Sequence, residues 1–294
     1  MTELIQHLAD VIALGSIYAL VALGLAIVFS VLRLINFAHG ELLTLAAYGM
    51  VWTTGADWPW WLAIAASVGL ALAGALVLER VSFRPVRNAE PTTLLLTSFA
   101  VSLILQNLFL MIAGPRPLAI LYAPWAMNSF DISGLHLQWI QIVTTTVTVL
   151  CLAALHLTLN RTLLGIGLRA AAEDFRTTQL MGVRANWLTA GAFAISGALA
   201  GIAAVFWFAS SGMVLPASGF TPVLKGFICA VIGGLGSLSG AVAAAYLLAL
   251  IEIGFGFALP SDYQPYGEAF VFAVVILFLT FRPQGIFGQP ERGI

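Results

Sequence analysis

The chain alternates between long apolar runs and short polar stretches, and the lengths of the runs set its architecture. Runs at 10–32, 37–54, 60–79, 92–113, 137–158, 186–210, 239–258 and 266–281 approach or exceed the length of a membrane-spanning helix. Such a helix needs roughly 20 residues, rising about 1.5 Å each across about 30 Å of hydrocarbon. A ninth run, near 221–235, has an apolar part of only about 15 residues, less than a full crossing. The pattern predicts an all-α polytopic membrane bundle of eight or nine transmembrane helices, forming one domain over 1–294.

Composition agrees. The chain is 61% hydrophobic and 9% charged, against about 25% charged residues in soluble domains. Lipid is therefore the expected surrounding, and no nucleic-acid partner is expected. No Lys or Arg precedes Arg33, so the first run lacks the basic flank of a cleaved signal and reads as a retained span. Cys151 and Cys229 lie inside apolar runs and read as small buried hydrophobes.

Basic residues mark the side on which loops are retained. With the N-terminus outside, Arg33, Arg80, Arg84, Arg87, Arg161, Arg169, Arg176, Arg184, Arg282 and Arg292 all fall on the cytoplasmic side. The opposite side receives Asp57, the 114–136 loop with Arg116 and Asp131, and the stretch with Asp262 and Glu268, each near Trp or Tyr anchors. With the arginines on one side, the flanks of 219–240 must face opposite sides, so a short or broken helix is expected there. Gly233, Gly234 and Gly236 loosen it, since irregular backbone at depth is tolerated where protein or a water-filled cavity satisfies it. Close helix packing is the other use of such glycines. The first half has a comparable interruption at RLINFAHGE, which places Asn36, His39 and Glu41 between two runs. HGELLTLAAY also aligns with LSGAVAAAYL, which suggests two related halves.

The cytoplasmic island Arg161–Arg184 carries four of the twelve basic residues. Arg169, Glu173 and Arg176 fall at i, i+4 and i+7, which predicts ion pairs along one helical face. Leu168, Ala172, Phe175 and Gln179 form the adjacent, less polar face, beside Asp174. Gly182 is placed to stop the helix. A face with charge and one aromatic suits a partner's groove better than a headgroup layer.

Catalytic chemistry is not legible. Lys225 fits no phosphate-binding loop, GSLSG has Leu238 where a nucleophile serine would stand, and the four histidines fall on scattered segments. Glu252 and Lys225 lie at depth, where ionisable groups are functional candidates. They either pair with each other, or Glu252 serves a proton-coupled carrier or channel. Gln106 and Asn107 in the fourth run line a pathway or hydrogen-bond between helices.

The stretch GSIYALVALGLAIVFSVLRLINFAHGELLTLAAY resembles the N-terminal signature of permease subunits of branched-chain amino acid ABC importers, INFAHGE above all. LRAAAEDFRTTQLMGV, VIGGLGSLSGAV and FRPQGIFG resemble further motifs of that family, in order along the whole chain. The resemblance implies a fold related to the permeases of ribose-type and vitamin B12 importers. It also implies a bacterial inner-membrane location, with the N-terminus periplasmic and the C-terminus cytoplasmic. The implied partners are a second permease or a second copy, two cytoplasmic ATPases that hold ATP and magnesium, and a periplasmic binding protein. This chain itself would need no cofactor. By the same resemblance 170–182 would be the helix that couples to the ATPases. The implied cargo is a branched-chain or other hydrophobic amino acid, with urea or another small amide or amino acid as the alternative within the family.

Overall fold

A computed structural model describes residues 2–87, 89–120, 128–132 and 135–287. Arg292, and the side chains of Asp131 and His136, lie outside what is described. A helix occupies each of the nine expected runs: α1 Thr2–Leu32, α2 His39–Gly55, α3 Trp60–Leu78, α5 Pro91–Ala113, α6 Trp139–Arg161, α9 Ala185–Ser211, α10 Phe220–Gly233, α11 Leu238–Ala258 and α12 Gly267–Phe281. A π-helical turn, Glu79–Phe83, and the short α4, Arg84–Val86, extend α3, while α7 Leu163–Glu173 and α8 Phe175–Leu180 occupy the charged island. Among the described residues seven helices are long and apolar enough to cross a membrane. The chain is a multi-pass membrane protein.

α1 forms the centre of the bundle. Ala19, Leu20, Val21 and Ala22 show no exposed surface, because α1 packs against α9, α10 and α11 on different sides. A helix apolar all round is what such a position requires. α5, α6 and α12 lie outside, with Leu103, Ile104, Leu150 and Leu277 exposed. Short strands add local pairing that the all-helical reading did not include. β1 Leu118–Ala119 pairs with β4 Met213–Val214, and β2 Ser129–Ile132 pairs with β3 Leu135–Gln138, both antiparallel.

The arginine-bearing helix ends meet on one face. Arg33 Nη2 donates to the Ala172 carbonyl at 2.8 Å, and Arg87 Nη1 donates to Asn186 Oδ1 at 2.6 Å. Thr189 Oγ1 donates to buried Glu79 at 2.9 Å, which secures the π-helical turn against α9.

Two helices depart from the expected crossings. α2 starts in the interior, because the His39 ring lies against Gly24 and Ser196. Gly24 precedes the end of α1 by eight residues, or about 12 Å, and Ser196 follows the start of α9 by eleven, or about 16 Å. Residues 33–38 therefore re-enter the bundle as irregular backbone, turning at Arg33 with a φ of 55°. α10 does the converse. After β4 the chain descends to Gly219, which touches Gly40, and only then does α10 begin. The irregular backbone at depth thus precedes α10, whereas the glycines were expected to break it. Gly234 and Gly236, with φ of 99° and 91°, form the turn into α11 instead. HGELLTLAAY and LSGAVAAAYL also start differently: α2 begins at mid-depth, α11 at the arginine-rich face, where Ile286 N–H and Phe287 N–H brace Ile232 and Gly233.

Candidate functional site

The starts of α2 and α10 meet inside the bundle. A β-carbon built on Gly219 would lie 1.9 Å from the Gly40 carbonyl oxygen, and one on Gly40 would lie 2.6 Å from that of Gly219. Only glycine at both positions allows the two backbones to touch. Gly219 N–H donates to Thr44 Oγ1 at 3.0 Å, which fastens the contact. Neither helix has a side-chain cap at its start. Each helix start carries a partial positive charge, so the junction places two of them close together.

The acid that answers this charge is Glu41, in the first turn of α2 and 1% exposed. Its Oε1 accepts from Ser102 Oγ at 2.9 Å and from Gln106 Nε2 at 2.8 Å, both on α5. Its Oε2 has no partner among the described residues. Nor has either atom of the buried Asn36 amide, nor His39 Nε2, whereas His39 Nδ1 shares a hydrogen bond of 3.1 Å with Ser196 Oγ. An orphaned buried polar group costs about 1–3 kcal/mol, and three residues within six carry such groups. Phe37 joins the junction to its surroundings, with ring centroids 4.3 Å from Phe99 on α5 and 5.7 Å from Phe227 on α10. Of the two amides expected side by side, Gln106 belongs to this junction. Asn107 does not: it is exposed on the outer face and bonds back to Leu103.

Lys225 and Glu252 form a separate cluster and pair with each other. Their Nζ and Oε1 are 2.6 Å apart, and Tyr18 OH donates to Glu252 Oε2 at 2.7 Å. Glu268 approaches Lys225 at 3.3 Å from α12. The cluster ties α1, α10, α11 and α12 together, and a carboxylate held by a lysine and a tyrosine is poorly placed to carry protons. Gly233, Gly234 and Gly236 lie at the far end of α10, about 20 Å from the junction along its length.

The island is built differently from the expected single helix over 170–182. Thr162 caps α7 by accepting from Gly165 N–H at 3.1 Å, and the chain breaks at Asp174, whose ψ is 104°. The break has a chemical cause. Asp174 Oδ1 accepts from the N–H groups of Arg176 and Thr177 at 2.9 and 3.0 Å, starting α8 as an N-cap. The stripe of ion pairs is therefore absent: Arg169 bonds to Asn160 at 3.0 Å, and Glu173 has no ion-pair partner among the described residues. Phe175, expected to face a partner, is half-buried and packs against the core that contains Leu168 and Ala171. At the end of α8 the exposed apolar groups are Leu180 and Met181, 82% and 80% exposed, directly before Gly182, where a φ of 88° ends the helix; Leu163 and Ile166 are exposed on α7. An apolar pair next to a glycine stop, in a loop of high polarity, was the signal available for them.

The model of the family "Branched-chain amino acid transport system / permease component" matches residues 7–279. Over 98% of its length the chain is 33% identical to the high-affinity branched-chain amino acid transport system permease protein BraD of Pseudomonas aeruginosa, covering 96% of that relative. Identity and both coverages are the same for the permease protein LivH of Escherichia coli (strain K12). A second E. coli permease, LivM, is 31% identical over 42% of this chain and 28% of its own. No solved structure matches this chain significantly. With a family match across nearly the whole chain and full-length relatives at this identity, the protein belongs to the branched-chain amino acid transport system permease family.

Proposed function

We propose that this chain is the permease subunit of an ATP-driven importer in a bacterial inner membrane, carrying branched-chain or other hydrophobic amino acids. The observation that carries this reading is the junction of α2 and α10. Broken helices whose starts meet at mid-depth are how many transporters place binding groups in the membrane, and the orphaned Asn36, His39 and Glu41 atoms lie there. The reading takes the N-terminus as periplasmic and the arginine-rich face as cytoplasmic, in line with the retention of basic loops. Relatives named as branched-chain amino acid permeases support the cargo.

Energy would come from two separate ATPases, since Lys225 stands in no phosphate-binding loop. Their groove would receive α8 and its tip, with Leu180 and Met181 as the apolar contact and Asp174, Arg176 and Gly182 as its frame. A second permease and a periplasmic binding protein would complete the assembly. The likeness to two differently named permeases supports a paired arrangement.

The experiment is reconstitution. The chain is co-expressed with a second permease, two ATPases and the binding protein encoded near it, and placed in proteoliposomes with ATP inside. ATP-dependent uptake of labelled leucine, isoleucine or valine is the expected result. Uptake driven by a proton gradient without the ATPases would overturn this reading in favour of a carrier.

A further inference from the structure

Between α7 and the bundle, on the arginine-rich face, lies a cavity of about 680 Å³ that the coupling role of α8 does not use. Arg33, Arg169, Glu173, Ser237, Leu235 and Phe287 are among the residues that line it. Four parts of the chain supply these groups: the turn after α1, α7, the turn between α10 and α11, and the C-terminal stretch. Glu173 has no ion-pair partner among the described residues, and Arg169 engages only the neutral Asn160.

The charges select the ligand. Two guanidiniums alone would suit any anion, but a carboxylate on the same wall repels phosphate and leaves room for a cation. Two positive groups, one negative group and an apolar wall complement a free α-amino acid with a hydrophobic side chain. Its carboxylate meets Arg33 and Arg169, its ammonium meets Glu173, and its side chain rests on Leu235 and Phe287.

We propose that this cavity binds free hydrophobic amino acid on the arginine-rich side and thereby slows the importer. The proposal rests on the functional reading above, in which that side is cytoplasmic. The coupling follows from the contacts. Arg33 donates to the Ala172 carbonyl of α7, and α7 also supplies Arg169 and Glu173. A ligand bridging them reinforces the link that α7 already has to the end of α1 and adds one to the α10–α11 turn. A loop held in this way cannot follow the ATPases, so bound product opposes further transport.

The test uses the full complex in proteoliposomes preloaded with unlabelled leucine, with binding protein and labelled leucine outside. Initial uptake is expected to fall about fivefold at saturating internal leucine, within the usual range of coupling between sites. Internal leucinol, which lacks the carboxylate, and the corresponding keto acid, which lacks the ammonium, should each leave uptake unchanged. Arg33→Gln should retain uptake without preload and lose the inhibition. Leu235→Trp, which fills the apolar wall, is the second variant should Arg33→Gln fail to assemble, and it should do the same. Uptake that is normal and indifferent to internal leucine, or inhibition that persists in both variants, overturns the site while leaving the importer reading intact. Equal inhibition by the keto acid also overturns it, since the ligand is then an anion. Absence of ATP-dependent uptake altogether would count instead against the importer reading.

Discussion

Gly219 and Gly40 touch backbone to backbone, and a β-carbon on Gly219 would sit 1.9 Å from the Gly40 carbonyl oxygen. That contact lets two helices of opposite direction start at one depth. Overpacking of a tight site costs about 1–3 kcal/mol, and here the obstacle is backbone, which yields less than a side chain. Gly219→Ala is expected to lower the thermal unfolding midpoint by several degrees and to abolish uptake. Gly254→Ala, at a position with nothing within 4 Å, serves as the control and should change neither. Equal stability of the two variants in a thermal shift assay would remove the junction from the account.

Glu41 offsets two helix starts while bonding Ser102 and Gln106. Glu41→Gln keeps the shape and removes the charge, so assembly should persist while uptake falls at least about tenfold. Loss of one charge-assisted hydrogen bond, about 1.5–3 kcal/mol, sets that scale. Assembly is read by size-exclusion chromatography and transport by initial rates. Unchanged transport by Glu41→Gln would make the acid a packing feature.

Lys225 is buried and its partner Glu252 is partly buried, at 8% and 25% side-chain exposure. Removing one partner of such a pair typically costs about 3–5 kcal/mol, whereas replacing both is often close to neutral. Lys225→Met alone and Glu252→Gln alone should therefore destabilise the protein, and the double variant should recover much of the loss. A double-mutant cycle on unfolding midpoints measures this coupling. Additive effects would mean that the two groups act separately.

Leu180 and Met181 project from the end of α8, whereas Phe175 packs inward. Leu180→Ser with Met181→Ser should leave the permease folded and lower ATPase co-purification by about tenfold or more, the scale of a small hot spot at an interface. Phe175→Ala should act mainly on the stability of the loop. The reverse pattern in a pull-down would return the contact to Phe175.

Asp174 caps α8 from an exposed position, and the Thr177 hydroxyl and N–H hold its carboxyl below the ordinary range. A group whose folded pKa is lowered stabilises above its unfolded value, about 3.9 for Asp, and the effect is lost as pH falls through the lowered value. Hydrogen exchange at the Thr177 amide, corrected for intrinsic rates, should show constant protection from pH 7 to about 5 and a loss only in stronger acid. In Asp174→Ala the protection should be low throughout.

The positions and number of the apolar helices, the arginine-rich face and the family were legible in the sequence. Burial in lipid requires long apolar runs whatever the packing, and basic residues collect in short loops by their own cost of crossing. The Lys225–Glu252 pair was open at that level because ion pairing and a proton path ask for the same residue types. The helix break at Asp174 was masked by a periodicity that continues through it, although an aspartate is a ready N-cap. The spacing of Arg169, Glu173 and Arg176 describes a helix that is not formed, so the ion pairs it implies are not made.

Sequence alone determined that the chain crosses a membrane many times and to which family it belongs, because hydropathy and local motifs act over one helix at a time. Only tertiary structure decided that α2 and α10 begin at mid-depth, that Phe175 turns inward, and that Arg33, Arg169 and Glu173 share a cavity. These facts depend on contacts between residues as far apart as Gly40 and Gly219, and the pattern within any one helix carries no record of how close another backbone comes.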